Sequence, residues 1–85
     1  MDIDYSLEFV RRFKKLSHRL KIKAVEKEKF FRKDQFDASL QTHKLSGKLA
    51  GRYAFGIDFK NRIIFSFVNS KLVRFHSVGS HDIYK

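Results

Sequence analysis

Residues 52–79, RYAFGIDFKNRIIFSFVNSKLVRFHSVG, decide the fold, because three runs within them alternate with a period of two. In the first, Tyr53, Phe55, Ile57 and Phe59 share one face, and Arg52, Ala54, Gly56 and Asp58 share the other. In the second, Ile63, Phe65 and Phe67 oppose Arg62, Ile64, Ser66 and Val68. In the third, Val73, Phe75 and Ser77 oppose Leu72, Arg74, His76 and Val78. Lys60-Asn61 and Asn69-Ser70 supply tight turns. The pattern predicts an antiparallel meander with one aromatic face for other elements to cover. Its reverse face carries Arg52, Arg62, Arg74 and His76 among small residues, a density of cations suited to a phosphate groove.

The front of the chain supplies the cover. Residues 1–5 alternate polar and apolar, which allows a short strand. Ser6 stands where an N-cap belongs, and Phe9, Val10, Phe13 and Leu16 follow at helical spacing, predicting a helix over 7–16. Ser17 caps a second helix over 18–33, with Leu20, Ala24, Val25 and Phe31 as its buried stripe. Residues 34–42 lack periodicity and read as a connection anchored by Phe36 and Leu40. Gly47 and Gly51 then end any helical tendency before the strands begin. The expected architecture is α+β: two N-terminal helices packed on one face of a twisted antiparallel sheet of three to four strands.

At 85 residues the chain is expected to form one domain, 1–85, with burial only just sufficient for independent folding. With no Cys, Pro or Trp, the stabilising material is aromatic: ten Phe and three Tyr. The lack of cysteine excludes disulfide staples and thiolate metal sites and fits a reducing, cytoplasmic setting. No apolar run approaches the roughly 20 residues that span a bilayer, and Asp2 and Asp4 do not suit a signal peptide. Nineteen Lys plus Arg against nine Asp plus Glu give a net charge of +10, a field that attracts polyanions. Nucleic acid, an acidic protein and an anionic membrane surface all satisfy that charge.

The chemistry-bearing residues narrow the choice. His18, His43, His76 and His81 show no paired ligand spacing, so no metal or other cofactor is expected. A phosphate loop and a serine-hydrolase elbow are both missing from the sequence. Two histidines flank the basic strands: His43 just before them and His81 just after. RNA carries its own nucleophile, the 2′-hydroxyl. Cleavage then needs a base, an acid and cations around the crowded phosphorane, and imidazoles with Arg meet those needs. His43, His81, Arg62 and Lys48 form a sufficient set, with either histidine as the base.

The blocks THKLSGKLAGRYAFGIDFKNRIIFSF and VRFHSVGSHDIY resemble the RelE/ParE superfamily of bacterial toxins, above all its RelE/StbE or YafQ-like mRNA interferase branch. The resemblance begins at YSLEFVRRFKKL and extends over nearly the whole chain. It implies ribosome-dependent cleavage of mRNA and neutralisation by a cognate antitoxin protein, with no membrane partner. Carried over by position, Arg62 matches the arginine that binds the scissile phosphate and His81 the catalytic histidine near the C-terminus. His43 falls where the branch has a histidine able to act as base, and Tyr84 near a terminal aromatic that orients substrate. Lys44 and Lys48 correspond loosely to a pair of lysines, and Arg52, Arg74 and His76 would line the RNA groove. Asn61 and Ile57 depart from the pattern, standing where members carry an acid and a further histidine. The alternative implied by the same superfamily is a non-enzymatic ParE-type toxin that binds DNA gyrase. A general basic RNA-binding or membrane-surface module is the third possibility.

Overall fold

The computed structural model describes residues 1–84. Strand β1 (Asp2–Tyr5) leads into helices α1 (Leu7–Lys14) and α2 (His18–Lys33), followed by strands β2 (His43–Lys44), β3 (Tyr53–Gly56), β4 (Arg62–Phe67) and β5 (Leu72–Gly79). Short 3-10 turns occupy Ala38–Leu40, Gly47–Leu49 and His81–Tyr84. The helix starts follow from their caps: Ser6 accepts from the Phe9 amide at 3.0 Å and Ser17 from the Leu20 amide at 3.2 Å. Glu8 lies in the first turn of α1 and Arg11, Arg12 and Lys14 in its last, each where the helix dipole favours its charge.

The sheet has five strands in the order β1-β5-β4-β3-β2. That is one or two more than the alternation predicts, and the sheet is mixed. β1 joins β5 in parallel, pairing Ile3 with Val73 and Tyr5 with Phe75. Parallel pairing becomes possible because α1 and α2 follow β1 and carry the chain over one face of the sheet. β2, only two residues long, pairs His43 with Ala54 and Lys44 with Tyr53. Two residues are too few to show a period, so only tertiary pairing reveals this strand.

Three further corrections have local causes. A β-bulge between β4 and β5 pairs Ile64 with Ser77 but Phe65 with Phe75, leaving His76 as the extra residue. The bulge shifts the strand by one position, so Val78 pairs with Ile63 in the core and Ser77 moves to the far face beside Ile64. Phe59 also leaves the expected face: β3 stops at Gly56, and Phe59 stands 92% exposed in the turn beyond it. Val25 is 48% exposed rather than buried. With Val10 and Phe13 it lines an apolar groove of about 460 Å³ between the helices.

The core is aromatic. Phe31 of α2 stacks on Phe55 with centroids 4.9 Å apart and meets Phe65 and Phe75 edge-on at 4.8 and 5.3 Å. All four rings are fully buried. One ring thus ties α2 to each strand of the meander, and edge-on and offset contacts are the favoured arrangements of aromatic quadrupoles. Leu40 plugs the core from the connection after α2, while Phe36 lies half outside, its ring parallel to that of Phe67 at 6.2 Å. Truncation at the centre should therefore be far costlier than at the rim. Phe31→Ala is expected to lose about 3–5 kcal/mol, and Phe36→Ala only about 1 kcal/mol, compared by urea denaturation.

Candidate functional site

The turn after β3 shapes one wall of the site. Asp58 turns back on its own loop, its carboxylate accepting from the Lys60 amide at 2.9 Å and from the Asn61 amide and side chain at 2.8 and 3.0 Å. Burial pushes its pKa up, but these hydrogen bonds outweigh that and hold the carboxyl below its ordinary range. Asn61, which stands where the resembling sequences carry an acid, therefore has a structural task in this chain.

Arg62 opens β4 on the same wall. Its Nη1 donates to the carbonyls of Asp58 at 2.7 Å, Phe59 at 3.2 Å and Asn61 at 3.1 Å. Nε and Nη2 take no part in the hydrogen bonds among the described residues, so the guanidinium is anchored by one corner. Its sheet neighbours are Gly56 on one side and Gly79 on the other, which leaves space around the fork.

His43 approaches from β2. Its Nδ1 lies 3.1 Å from the carbonyl oxygen of Gln41, a residue held in the left-handed region at φ 52°. A carbonyl only accepts, so in the neutral ring the proton sits on Nδ1 and Nε2 presents its lone pair.

The third wall is the turn His81–Tyr84. Ile83 is buried, and the Arg12 guanidinium on α1 binds Asp82 at 3.0 Å. That bond leads the causes that hold the Asp82 carboxyl below its ordinary range. The ring of His81 meets Tyr84 edge-on at 6.1 Å. Burial raises the Tyr84 hydroxyl pKa, with the Arg62 guanidinium acting in the opposite sense, so the phenol stays protonated at neutral pH.

These walls enclose a hollow of about 630 Å³ that His43, Arg62, His81 and Tyr84 all face, together with Phe59, Lys60 and Ser80. Lys44 and Lys48 are exposed outside it, on β2 and on the 3-10 turn Gly47–Leu49. Arg74 and His76 lie elsewhere on the sheet: Arg74 pairs with Asp4 at 2.7 Å, and His76 Nε2 meets Ser66 Oγ at 2.7 Å. Burial lowers the His76 pKa, and the nearby positive charges of Arg52 and Arg74 lower it further. The basic reverse face is therefore divided, because Ala54, Ile64 and Ser77 in its middle are buried. Among the described residues no three His, Asp or Glu side chains converge as metal ligands do. Phe59, Lys60 and Ser80 escaped the sequence reading, since the alternation overshoots the strand end and assigns Phe59 to the core.

Solved structures share this architecture. YafQ from E. coli superposes with a TM-score of 0.81 at 21% identity, covering 98% of this chain and 96% of that one. The YoeB/ParE toxin from Agrobacterium tumefaciens gives 0.81 at 15%, covering 95% and 99%. A YoeB–YefM complex from Staphylococcus aureus gives 0.77 at 19%, covering 95% and 97%. No protein-family model and no curated protein matches the sequence. The chain has the RelE/YafQ-like toxin fold.

Two outcomes follow from this geometry. A Cβ at Gly79, where φ is +156°, would come within 2.8 Å of Ile83 Cγ2, while one at Gly56 would make ordinary contact at 3.6 Å. Gly79→Ala should cost about 1–3 kcal/mol through overpacking, whereas Gly56→Ala should stay within about 1 kcal/mol, measured by urea midpoints. His76 titrates with a depressed folded pKa, so below its unfolded value of 6.5 the unfolded chain binds more protons. Its contribution to stability is present above pH 6.5 and lost as pH falls through the folded pKa. Comparing melting at pH 5 and 7.5, His76→Gln should flatten this dependence.

Proposed function

We propose that the chain is the toxin of a toxin–antitoxin pair and a metal-independent endoribonuclease that cuts mRNA on the ribosome. The observation that carries this reading is a single hollow faced by His43, Arg62 and His81, with the Gln41 carbonyl favouring the His43 tautomer that a general base needs. In the proposed reaction, His43 Nε2 takes the proton of the RNA 2′-hydroxyl, whose oxygen attacks the adjacent phosphorus. Arg62, fixed through Nη1, stabilises the charge that accumulates on the phosphorane oxygens, with Lys60 beside it. His81 gives a proton to the departing 5′-oxygen as the P–O bond breaks. The products are a 2′,3′-cyclic phosphate and a 5′-hydroxyl end, and two proton transfers return both imidazoles to service after exchange with water.

The remaining cations fit the size of the target. Lys44 and Lys48 stand outside the hollow on the exposed 43–49 segment, and Arg52, Arg74 and His76 form a second patch on the sheet. The Lys-rich surface of α2 suits docking on ribosomal RNA, in keeping with the +10 charge. An antitoxin protein is the proposed partner, supported by YafQ and YoeB having been solved as complexes with DinJ and YefM. An acidic segment would meet the same basic surface. The fold is shared with a protein described as a YoeB/ParE toxin, which keeps a second reading open: a gyrase-binding toxin that needs no histidine.

Primer extension on mRNA from a translating extract separates the two. His43→Ala and His81→Ala are each expected to slow cleavage about 10²–10⁴-fold, and Arg62→Ala about 10²–10³-fold. Cuts that persist unchanged in these variants would sink the site assignment. Toxicity retained in the double histidine variant, with DNA damage in place of translation arrest, would favour the gyrase reading.

A further inference from the structure

Among the large apolar side chains described, Phe59 is the most exposed to solvent, at 92%. A lone surface aromatic is ordinarily unremarkable. This one differs in how firmly it is held and in what surrounds it. The loop beneath it is fastened by three hydrogen bonds to the Asp58 carboxylate, and its own carbonyl accepts from Arg62 at 3.2 Å. The ring is thus presented to water by a polar turn. It is not the loose end of a mobile loop.

Its position is equally specific. Phe59 borders the hollow that contains His43 and His81, and it also borders a second hollow of about 440 Å³ lined by Lys27, Ser39 and Gln41. Arg62 is the other residue common to both. A strand with a phosphate on Arg62 would therefore have the ring beside it, with Lys60 lining the first hollow and Lys27, together with Asp58, lining the second. Every nucleobase offers a π-face, and stacking on a protein aromatic is tolerant of sequence.

Resting on the ribonuclease reading above, we infer that Phe59 is a stacking platform for a single-stranded RNA base next to the scissile phosphate, dividing two nucleotide subsites. A desolvated ring–base contact at this position strengthens binding without touching the reacting atoms. It orients the strand so that the 2′-hydroxyl faces the His43 side of the hollow. Lys60, Arg62 and Lys27 around the ring favour RNA over an apolar protein side chain as the occupant, because the Asp58 carboxylate is already taken up by the Lys60 and Asn61 donors of its own turn.

The sequence contains no Trp, so Phe59→Trp installs a single indole reporter in the full chain. A hexaribonucleotide with 2′-O-methyl groups, which lacks the nucleophile, serves as the probe at fixed low salt. Titration is expected to quench the indole, and wild type and Phe59→Trp should bind with similar affinity. Phe59→Ala and Phe59→Leu should each bind about 10- to 100-fold more weakly, with unchanged urea midpoints. The loss on Phe59→Leu distinguishes stacking from simple apolar burial. Equal affinity in wild type and Phe59→Ala overturns the inference while leaving the ribonuclease reading intact. If Phe59→Ala weakens only the binding of an antitoxin protein, the ring belongs to that interface and the inference also falls. Failure of wild type itself to bind the probe also overturns the inference, whereas the ribonuclease reading stands or falls on the primer-extension cuts.

Discussion

The phenyl ring of Phe31 is the constraint on which the architecture turns. It reaches from α2 to Phe55, Phe65 and Phe75, one ring on each strand of the meander, at 4.8–5.3 Å. A chain of 85 residues without cysteine has no covalent staple, so this four-ring cluster must set the distance between helix layer and sheet. Everything at the candidate site inherits that distance. Gly56 and Arg62 follow directly from the strands that carry Phe55 and Phe65, and Gly79 ends the strand that carries Phe75.

The site itself is built differently from the core. Its side chains stand on turns and at strand ends, held by polar contacts: Asp58 for the β3–β4 turn, the Gln41 carbonyl for His43, and the Arg12–Asp82 pair for the turn with His81. Rigid strands bring these turns to one end of the sheet, and short hydrogen bonds then fix each side chain. This division explains why polar residues with no chemistry of their own, Asn61 among them, are part of the site's construction. It also explains how a groove-like basic face becomes two separate patches once Ala54, Ile64 and Ser77 are buried between them.

Much of this was legible in the alternation of residues 52–79 and in the two serine caps. The helices, the three strands of the meander and the aromatic face follow from period and capping, because both are local properties of the chain. What escaped depends on pairing. A two-residue β2 has no period to read, and the parallel seat of β1 requires a partner far along the chain. The bulge at His76 inverts the parity of Ser77 and Val78, an inversion that only the register of β4 against β5 reveals. At the site, the alternation indicates which face a residue occupies but not how far along the face it lies. Arg62 therefore joined the histidines while Arg52 and Arg74 did not, and Phe59 left the core once its strand ended early.

The parallel seat of β1 has a further consequence, one of timing. Ser6 Oγ donates to the His76 carbonyl at 2.8 Å, and Asp4 bonds Arg74, each across 70 positions of sequence. The hairpins of the meander close over a few residues, whereas β1 must close a loop spanning most of the protein, at greater entropic cost. During synthesis the first strand leaves the ribosome long before its neighbour exists, and the apolar faces of α1 and α2 emerge with nothing to cover. Strand β5 lies between β1 and β4, so its arrival completes this sheet, its core and the His81 turn together. The sheet and core are completed only when β5 joins them, and a chain interrupted before residue 72 has neither a finished core nor a site.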